Sequence, residues 1–232
     1  MRLNKFIALS GITSRRKADQ LILDGEVKVN GKIVTTPGVD ITPKDKVNVS
    51  GKLIRPQKHQ YFIFNKPTKV ITSINDPQRR ATVADYFKSE KNRLFPVGRL
   101  DYETSGLLLI TNDGDFANRL MHPSYNKEKT YIAEIDKELS KKEIEKFESG
   151  IYIDKKKTAP AKLIFQKRKL NNFRYKIVIH EGRNRQIRKM FSKLNANIKT
   201  LKRVQIGSIK LGDLPVGRYR KLTQKEYKML LE

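Results

Sequence analysis

Asp101 stands in the run Gly98-Arg99-Leu100-Asp101-Tyr102-Glu103-Thr104-Ser105-Gly106-Leu107-Leu108-Leu109, which sets a carboxylate and an arginine at a bend between two apolar stretches. Phe95, Val97 and Leu100 read as one short strand. Leu107 to Ile110, closed by Thr111-Asn112-Asp113-Gly114, reads as a buried strand. Between them lies a polar loop on a rigid support, a placement that suits a carboxylate acting on a bound molecule. Taken alone, an Asp ahead of a Thr-Ser-Gly turn more often bonds only its own backbone.

The second informative stretch is Glu181-Gly182-Arg183-Asn184-Arg185-Gln186-Ile187-Arg188-Lys189-Met190-Phe191. Ile187, Met190, Phe191 and Leu194 recur at i, i+3, i+4 and i+7, so one face of a helix is core. The other side is cationic: Arg185 has like-charge neighbours at Arg188 and Lys189, costing a few tenths of a kcal/mol per pair in an isolated helix. From Gly182 to Gly212 stand Arg183, Arg185, Arg188, Lys189, Lys193, Lys199, Lys202, Arg203 and Lys210, with no acid. Their counter-charge must come from elsewhere in the fold or from a ligand, and both Asp101 and a phosphate backbone would serve.

The elements that must position these groups are bounded by composition. The chain has 232 residues with 38% hydrophobic content, enough for one domain of ordinary size plus a small one. With 50 Lys+Arg against 24 Asp+Glu, the net charge of +26 points to a polyanion as partner, nucleic acid by default. There is no cysteine, which excludes disulfides, thiolate chemistry and Cys-based zinc sites, and His59, His122 and His180 are scattered, so no metal site is assigned. No apolar run approaches the roughly 20 residues of a membrane span, and the chain is expected in the cytoplasm.

Residues 1–48 read as a small module. Leu3, Phe6 and Ile7 have helical spacing, and a second helix starts at the cap Ser14, turns Ala18, Leu21 and Ile22 inward, and stops at Gly25. Val27 and Val29, Asn30-Gly31 and Ile33 signal a hairpin with a type I′ turn. Arg15, Arg16 and Lys17 crowd the first turn of the second helix, where the dipole disfavours cations, so a phosphate or another gain must offset them. Residues 49–60, polar and basic with Gly and Pro, read as a linker, with a flexible one and a docked, ordered one equally allowed. Residues 61–232 read as a larger mixed domain, with strands at Phe62–Phe64, Lys129–Ile135, Ala161–Gln166, Phe173–His180 and Ile198–Ile206. Short helices are expected near Thr82–Phe87 and Phe116–Met121, and the capping boxes Ser140-x-x-Glu143 and Thr223-x-x-Glu226 open two more.

Taken together these segments resemble a known family. Gly98-Arg99-Leu100-Asp101 followed by Thr104-Ser105-Gly106-Leu107 resembles the signature of the pseudouridine synthases, whose Asp is catalytic. Arg2-Leu3-Asn4-Lys5-Phe6, Ser14-Arg15-Arg16-Lys17-Ala18 and Gly25-Glu26-Val27-Lys28-Val29-Asn30-Gly31 look like an S4 domain, a fold that binds structured RNA. The resemblance covers nearly all of the chain and is to the ribosomal-RNA enzymes of the RsuA type. It implies an α+β architecture, a small helix-helix-hairpin S4 domain plus a larger catalytic domain built on a mainly antiparallel sheet.

For the site, the resemblance implies that Asp101, Tyr131 of Lys129-x-Tyr131, and Arg188 carry catalysis, with Arg188, or next in order Arg185, pairing the Asp and the tyrosine stacking on the target uracil. Asn65-Lys66-Pro67 resembles a first motif that is mainly structural. Arg99, Arg183, Arg185, Ile187 and Lys189, together with Arg15, Arg16 and Lys17, are expected to contact RNA, Arg99 by filling the gap that the target base leaves. The implied reaction converts uridine to pseudouridine without a cofactor. Asn118-Arg119-Leu120-Met121-His122-Pro123 and Glu181-Gly182-Arg183-Asn184-Arg185 look more like the 23S (large-subunit) rRNA enzymes than the 16S one, so the expected partner is 23S rRNA, naked or in a pre-ribosomal particle, met by a monomer. A 16S enzyme and a non-catalytic S4-type assembly protein are the alternatives. A methyltransferase would want a G-x-G-x-x-G loop after a strand, and the chain has none.

Overall fold

The computed structural model describes residues 1–122, 127–170 and 172–231, and the chain divides into two compact units. The first comprises Met1–Gln60 with Lys88–Leu94, the second Tyr61–Phe87 with Phe95–Glu232. The small unit opens with α1 (Leu3–Leu9) and α2 (Arg15–Leu23), as the apolar spacing requires. Ser14 caps α2 by accepting from the Lys17 amide, and Asn4 ties the two helices by donating to Asp19 at 2.8 Å. Strands β1 (Val27–Val29), β2 (Lys32–Ile33), β3 (Val47–Val49) and β4 (Lys52–Leu53) form an antiparallel sheet in the order β2-β1-β3-β4. Asn30 (φ 51°) and Gly31 (φ 85°) supply the left-handed turn between β1 and β2.

The expectation of a linker over 49–60 is corrected at its first half. Val49 ends β3, Lys52 and Leu53 form β4, and Ile54 is buried in the core of the small unit with Leu3, Ile7, Ile22 and Val47. Gln57 continues the attachment, its amide donating to the Leu9 carbonyl.

The second unit is organised on a nine-stranded sheet. Its elements are β5 (Tyr61–Lys66), a short 3-10 helix (Val83–Phe87), β6 (Phe95–Val97), β7 (Ser105–Thr111), α3 (Gly114–Met121), β8 (Lys129–Ile135), α4 (Lys141–Glu148) and the hairpin β9 (Tyr152–Ile153) and β10 (Lys156–Lys157). Then follow β11 (Lys162–Lys169), β12 (Asn172–Ile179), α5 (Gln186–Ser192), β13 (Ile198–Ile206), β14 (Ile209–Lys210), β15 (Tyr219–Lys221) and α6 (Gln224–Leu231). The order is β11-β12-β8-β13-β7-β5-β15, with β14 on β13 and β6 on β7. Among the described residues the β13 to β7 pairing is parallel and the other strand pairs of this sheet are antiparallel. Leu100, expected in the strand with Phe95 and Val97, lies beyond it, because Gly98 at φ 71° turns the chain out of the sheet.

Helices α3 and α6 cover β5 and β7 through Phe116, Leu120 and Leu230 against Ile63, Leu107 and Leu109. Each is fixed at its start: Asp113 accepts from the Asp115 and Phe116 amides, and Thr223 and Glu226 form the reciprocal bonds of a capping box. The Ser140/Glu143 box does the same for α4.

The parallel junction pairs Gly106 with Arg203, and Gly106 has φ 105°. A Cβ there would meet the Arg203 carbonyl oxygen at 2.2 Å and its amide nitrogen at 2.8 Å, so only glycine lets the two backbones approach. Gly106→Ala should therefore destabilise this unit by about 3 kcal/mol or more. Gly114→Ala, at an ordinary φ with nothing within 4 Å, should be neutral or stabilise by up to about 1 kcal/mol. Urea unfolding of the two variants beside wild type checks this, and equal stabilities would contradict it.

Candidate active site

The residues flanking the Gly106 junction open onto a cleft of about 1050 Å3 in the larger unit. Arg99, Asp101, Thr104, Lys129, Tyr131, Arg183, Arg185, Ile187, Arg188 and Arg203 line it. The loop from Gly98 to Thr104 is held by its backbone: Thr72 Oγ1 donates to the Leu100 carbonyl at 2.7 Å, the Lys69 amide to Tyr102 at 2.8 Å, and the Thr104 amide to Asp101 at 3.0 Å. The bond at Asp101 is made by its carbonyl. Its half-buried carboxylate accepts no hydrogen bond and forms no ion pair within 4.0 Å among the described residues, so it is not consumed in capping its own turn. Thr104, 1% exposed, brings to the same cleft a buried hydroxyl without a hydrogen-bond partner among the described residues.

Cations surround this carboxylate. Lys66 is fully buried at the end of β5 and donates to the Pro67 carbonyl at 2.7 Å. Burial pulls its ammonium down to about 8, against the opposing pull of Asp101 and Glu103. Arg188 projects from α5 and its Nη2 donates to the Glu103 carbonyl at 2.9 Å, while its Nε is buried without a partner among the described residues. Burial, then Arg185, lowers the Arg188 guanidinium, and Asp101 and Glu103 act the other way. The expected direct pair of Arg188 with Asp101 is thus corrected: the two attract each other electrostatically, but the arginine is anchored on the backbone of the loop.

Helix α5 begins without a side-chain cap, at Arg185 in the left-handed region (φ 51°). Gln186, 3% exposed, anchors this turn instead: its Oε1 accepts from the Arg183 amide at 3.0 Å and its Nε2 donates to Glu181 at 2.7 Å. Ile187 is buried on the cleft wall, and Arg185 is exposed at its rim.

Two expected RNA contacts are engaged within the protein. Arg183 donates to the carbonyls of Ile153, Lys156 and Lys157, and Lys189 pairs with Asp154 at 2.6 Å. Together they strap the β9–β10 hairpin to the start of α5. Arg99 also lines the cleft and is exposed. Arg15, Arg16 and Lys17 belong to the other unit, where all three are exposed without an ion-pair partner among the described residues. Of the Asn118–Pro123 motif, Pro123 lies outside the described residues.

Tyr131 is 8% exposed on β8, and across the strand pair stands Arg203, its guanidinium 6.0 Å from the ring centroid. Arg203 is 4% exposed and its Nε donates to the Leu107 carbonyl at 2.7 Å. It was visible in the sequence only as one of many cations. The signal lay in the alternation of β13, where Leu201 and Arg203 share the inward face, so a charge occupies an apolar register position.

A carboxylate free of partners among the described residues, an aromatic ring and cations wholly or partly buried around one cleft suit the binding of a nucleotide and chemistry upon it. Comparison with known proteins says which. The RNA pseudouridylate synthase family matches residues 60–193, and the S4 domain matches residues 1–47. Over 232 residues the chain is 46% identical to ribosomal large subunit pseudouridine synthase B of Bacillus subtilis (strain 168), covering 99% of this chain and 95% of that protein. It is 35% identical over 229 residues to the dual-specificity RNA pseudouridine synthase RluF of Escherichia coli (strain K12), covering 97% and 77%. A solved structure titled as the crystal structure of pseudouridylate synthase superposes with a TM-score of 0.71 at 33% identity over 99% of both chains. The chain therefore belongs to the RNA pseudouridylate synthase family, in its RsuA-type branch with an N-terminal S4 domain, and is an isomerase.

The buried ammonium of Lys66 gives a pH signature. Its folded value of about 8 lies below the ordinary 10.5, so between these the unfolded chain holds one more proton than the folded one and stability rises with pH. Relative to Lys66→Met, wild type should gain about 1.4 kcal/mol per pH unit from about 8 to 10.5 and show no relative change below 8. Denaturant unfolding of both across this range measures the difference, and parallel curves would contradict the burial of a charged amine.

Proposed function

We propose that this protein isomerises a uridine of ribosomal RNA to pseudouridine, in the large subunit, with Asp101 as the catalytic carboxylate. The observation that carries this reading is the Asp101 carboxylate, which has no hydrogen-bond partner among the described residues and lies in a cleft whose other charges are mostly cations. Its relatives' names supply the substrate class: the Bacillus protein is a large-subunit enzyme, at 46% identity over nearly the whole chain.

In the proposed reaction the N1–C1′ bond breaks, the uracil turns while held in the cleft, C5 bonds to C1′ as its proton leaves, and N1 takes up a proton, so atoms balance. Uracil is both leaving and entering group, so no co-reactant is consumed. The target must leave its stack at a cost of a few kcal/mol, which contacts from the basic cleft and from the +26 chain offset. Tyr131 supplies the platform for the base, Arg188 fixes the loop that presents Asp101, and Arg99 stands on the wall where a gap in the RNA stack would be filled. Attack by Asp101 on C6 of the base, attack on C1′, and removal of a sugar proton all require the carboxylate anion.

Asp101→Asn should fold as wild type and form no pseudouridine in a large-subunit transcript under single-turnover conditions, read by mass spectrometry; appreciable product would sink the assignment. Replacing Arg15, Arg16 and Lys17 together with Gln should weaken RNA binding and reduce the slope of log K against log salt by about 2 to 3, if each meets one phosphate. An unchanged affinity and slope would show that this face does not touch the RNA.

A further inference from the structure

Lys129 and Tyr131 are alternate residues of β8 and line the cleft together, and Arg203 faces Tyr131 across the β8–β13 pairing. The Arg203 guanidinium is bonded through Nε to Leu107, but its Nη2 is buried with no hydrogen-bond partner among the described residues. No carboxylate lies within 4.0 Å of it among the described residues. The Lys129 ammonium rests on the carbonyls of His180 at 3.2 Å and Lys127 at 3.4 Å, leaving donor capacity unused. Burial lowers the Lys129 ammonium, and the nearby Arg203 charge lowers it further, against the weaker pull of Glu181. Two cations are therefore held in the lining of one cleft despite mutual repulsion, one two residues along the strand from an aromatic ring and the other across the strand pair from it. A buried charge without a partner is costly to keep, and an anion accepting from both groups relieves both penalties.

We propose that Lys129 and Arg203 form a binding site for a phosphodiester of the nucleotide being isomerised. The inference rests on the reading of Tyr131 as the platform for the target base. A uracil carbonyl is neutral and would leave the repulsion in place, whereas the phosphodiester is the one anion a nucleotide carries within a ribose of its base. The site seats the flipped nucleotide by its backbone while the ring holds the base, so it contributes to positioning whatever the surrounding sequence.

The test is a cycle between protein and RNA. Oligonucleotides spanning the target uridine carry a neutral methylphosphonate at its 5′ or its 3′ linkage, and Kd is measured for wild type and for Lys129→Gln. At one of the two linkages, neutralisation should weaken wild-type binding by about tenfold or more, and should weaken Lys129→Gln by less than about twofold. Arg203→Gln, with its unfolding transition checked because Arg203 also holds Leu107, should show the same loss of sensitivity. Equal penalties in wild type and Lys129→Gln at both linkages overturn the inference, even where the wild-type enzyme converts the unmodified RNA. A wild-type enzyme that makes no pseudouridine in that RNA overturns the functional reading and this inference with it.

Discussion

The larger unit depends on one contact, the approach of Gly106 to the backbone of Arg203. It is the parallel joint in a sheet whose other described strand pairs are antiparallel, and it admits no side chain. Through it, β7, which follows the Asp101 loop, is locked against β13, which in turn is paired with β8 and Tyr131. The carboxylate and the aromatic ring come from segments about 30 residues apart in sequence, and this joint fixes them around one cleft. A rigid sheet under a loop pinned by Thr72, Lys69 and Arg188 holds the Asp101 loop and the Tyr131 strand in a fixed arrangement around the cleft.

The second constraint is electrostatic. Lys66, Lys129, Arg188 and Arg203 are buried wholly or in part around the cleft, and three of them have ionisation pushed down chiefly by that burial. Such burial lowers stability unless the charges meet a partner. Asp101 answers part of it, and a polyanionic substrate would answer the rest. The protein's cationic excess is thus not only a solvated surface suited to a polyanion but also a set of desolvated donors around the cleft.

Much of this was legible in the sequence wherever one local rule governed. Ser14, Ser140 and Thr223 cap the helices that they announce, Asn30-Gly31 makes its turn, and Lys129–Ile135 is a strand over its whole predicted length. The cleft grouping of Arg99, Asp101, Tyr131, Ile187 and Arg188 followed from motif resemblance, since no period in the sequence links segments so far apart. What was missed depended on distant partners. The stretch at 49–54 looked like a linker because strands of two or three residues are too short to show alternation, and Ile54 finds its core only through tertiary contact. Arg183 and Lys189 looked free to meet RNA, yet their partners lie about 30 residues earlier on a hairpin that has no signal of its own. Arg203 was hidden among eight other cations, although its place on an inward register was the clue.

The most direct measurement is a map of pseudouridine in ribosomal RNA from cells that have and lack this protein. The account predicts that one position in the large-subunit RNA loses its pseudouridine and regains it when the wild-type chain is restored. An unchanged map in both ribosomal subunits would contradict it, and the loss of a small-subunit position alone would keep the chemistry but overturn the assigned substrate.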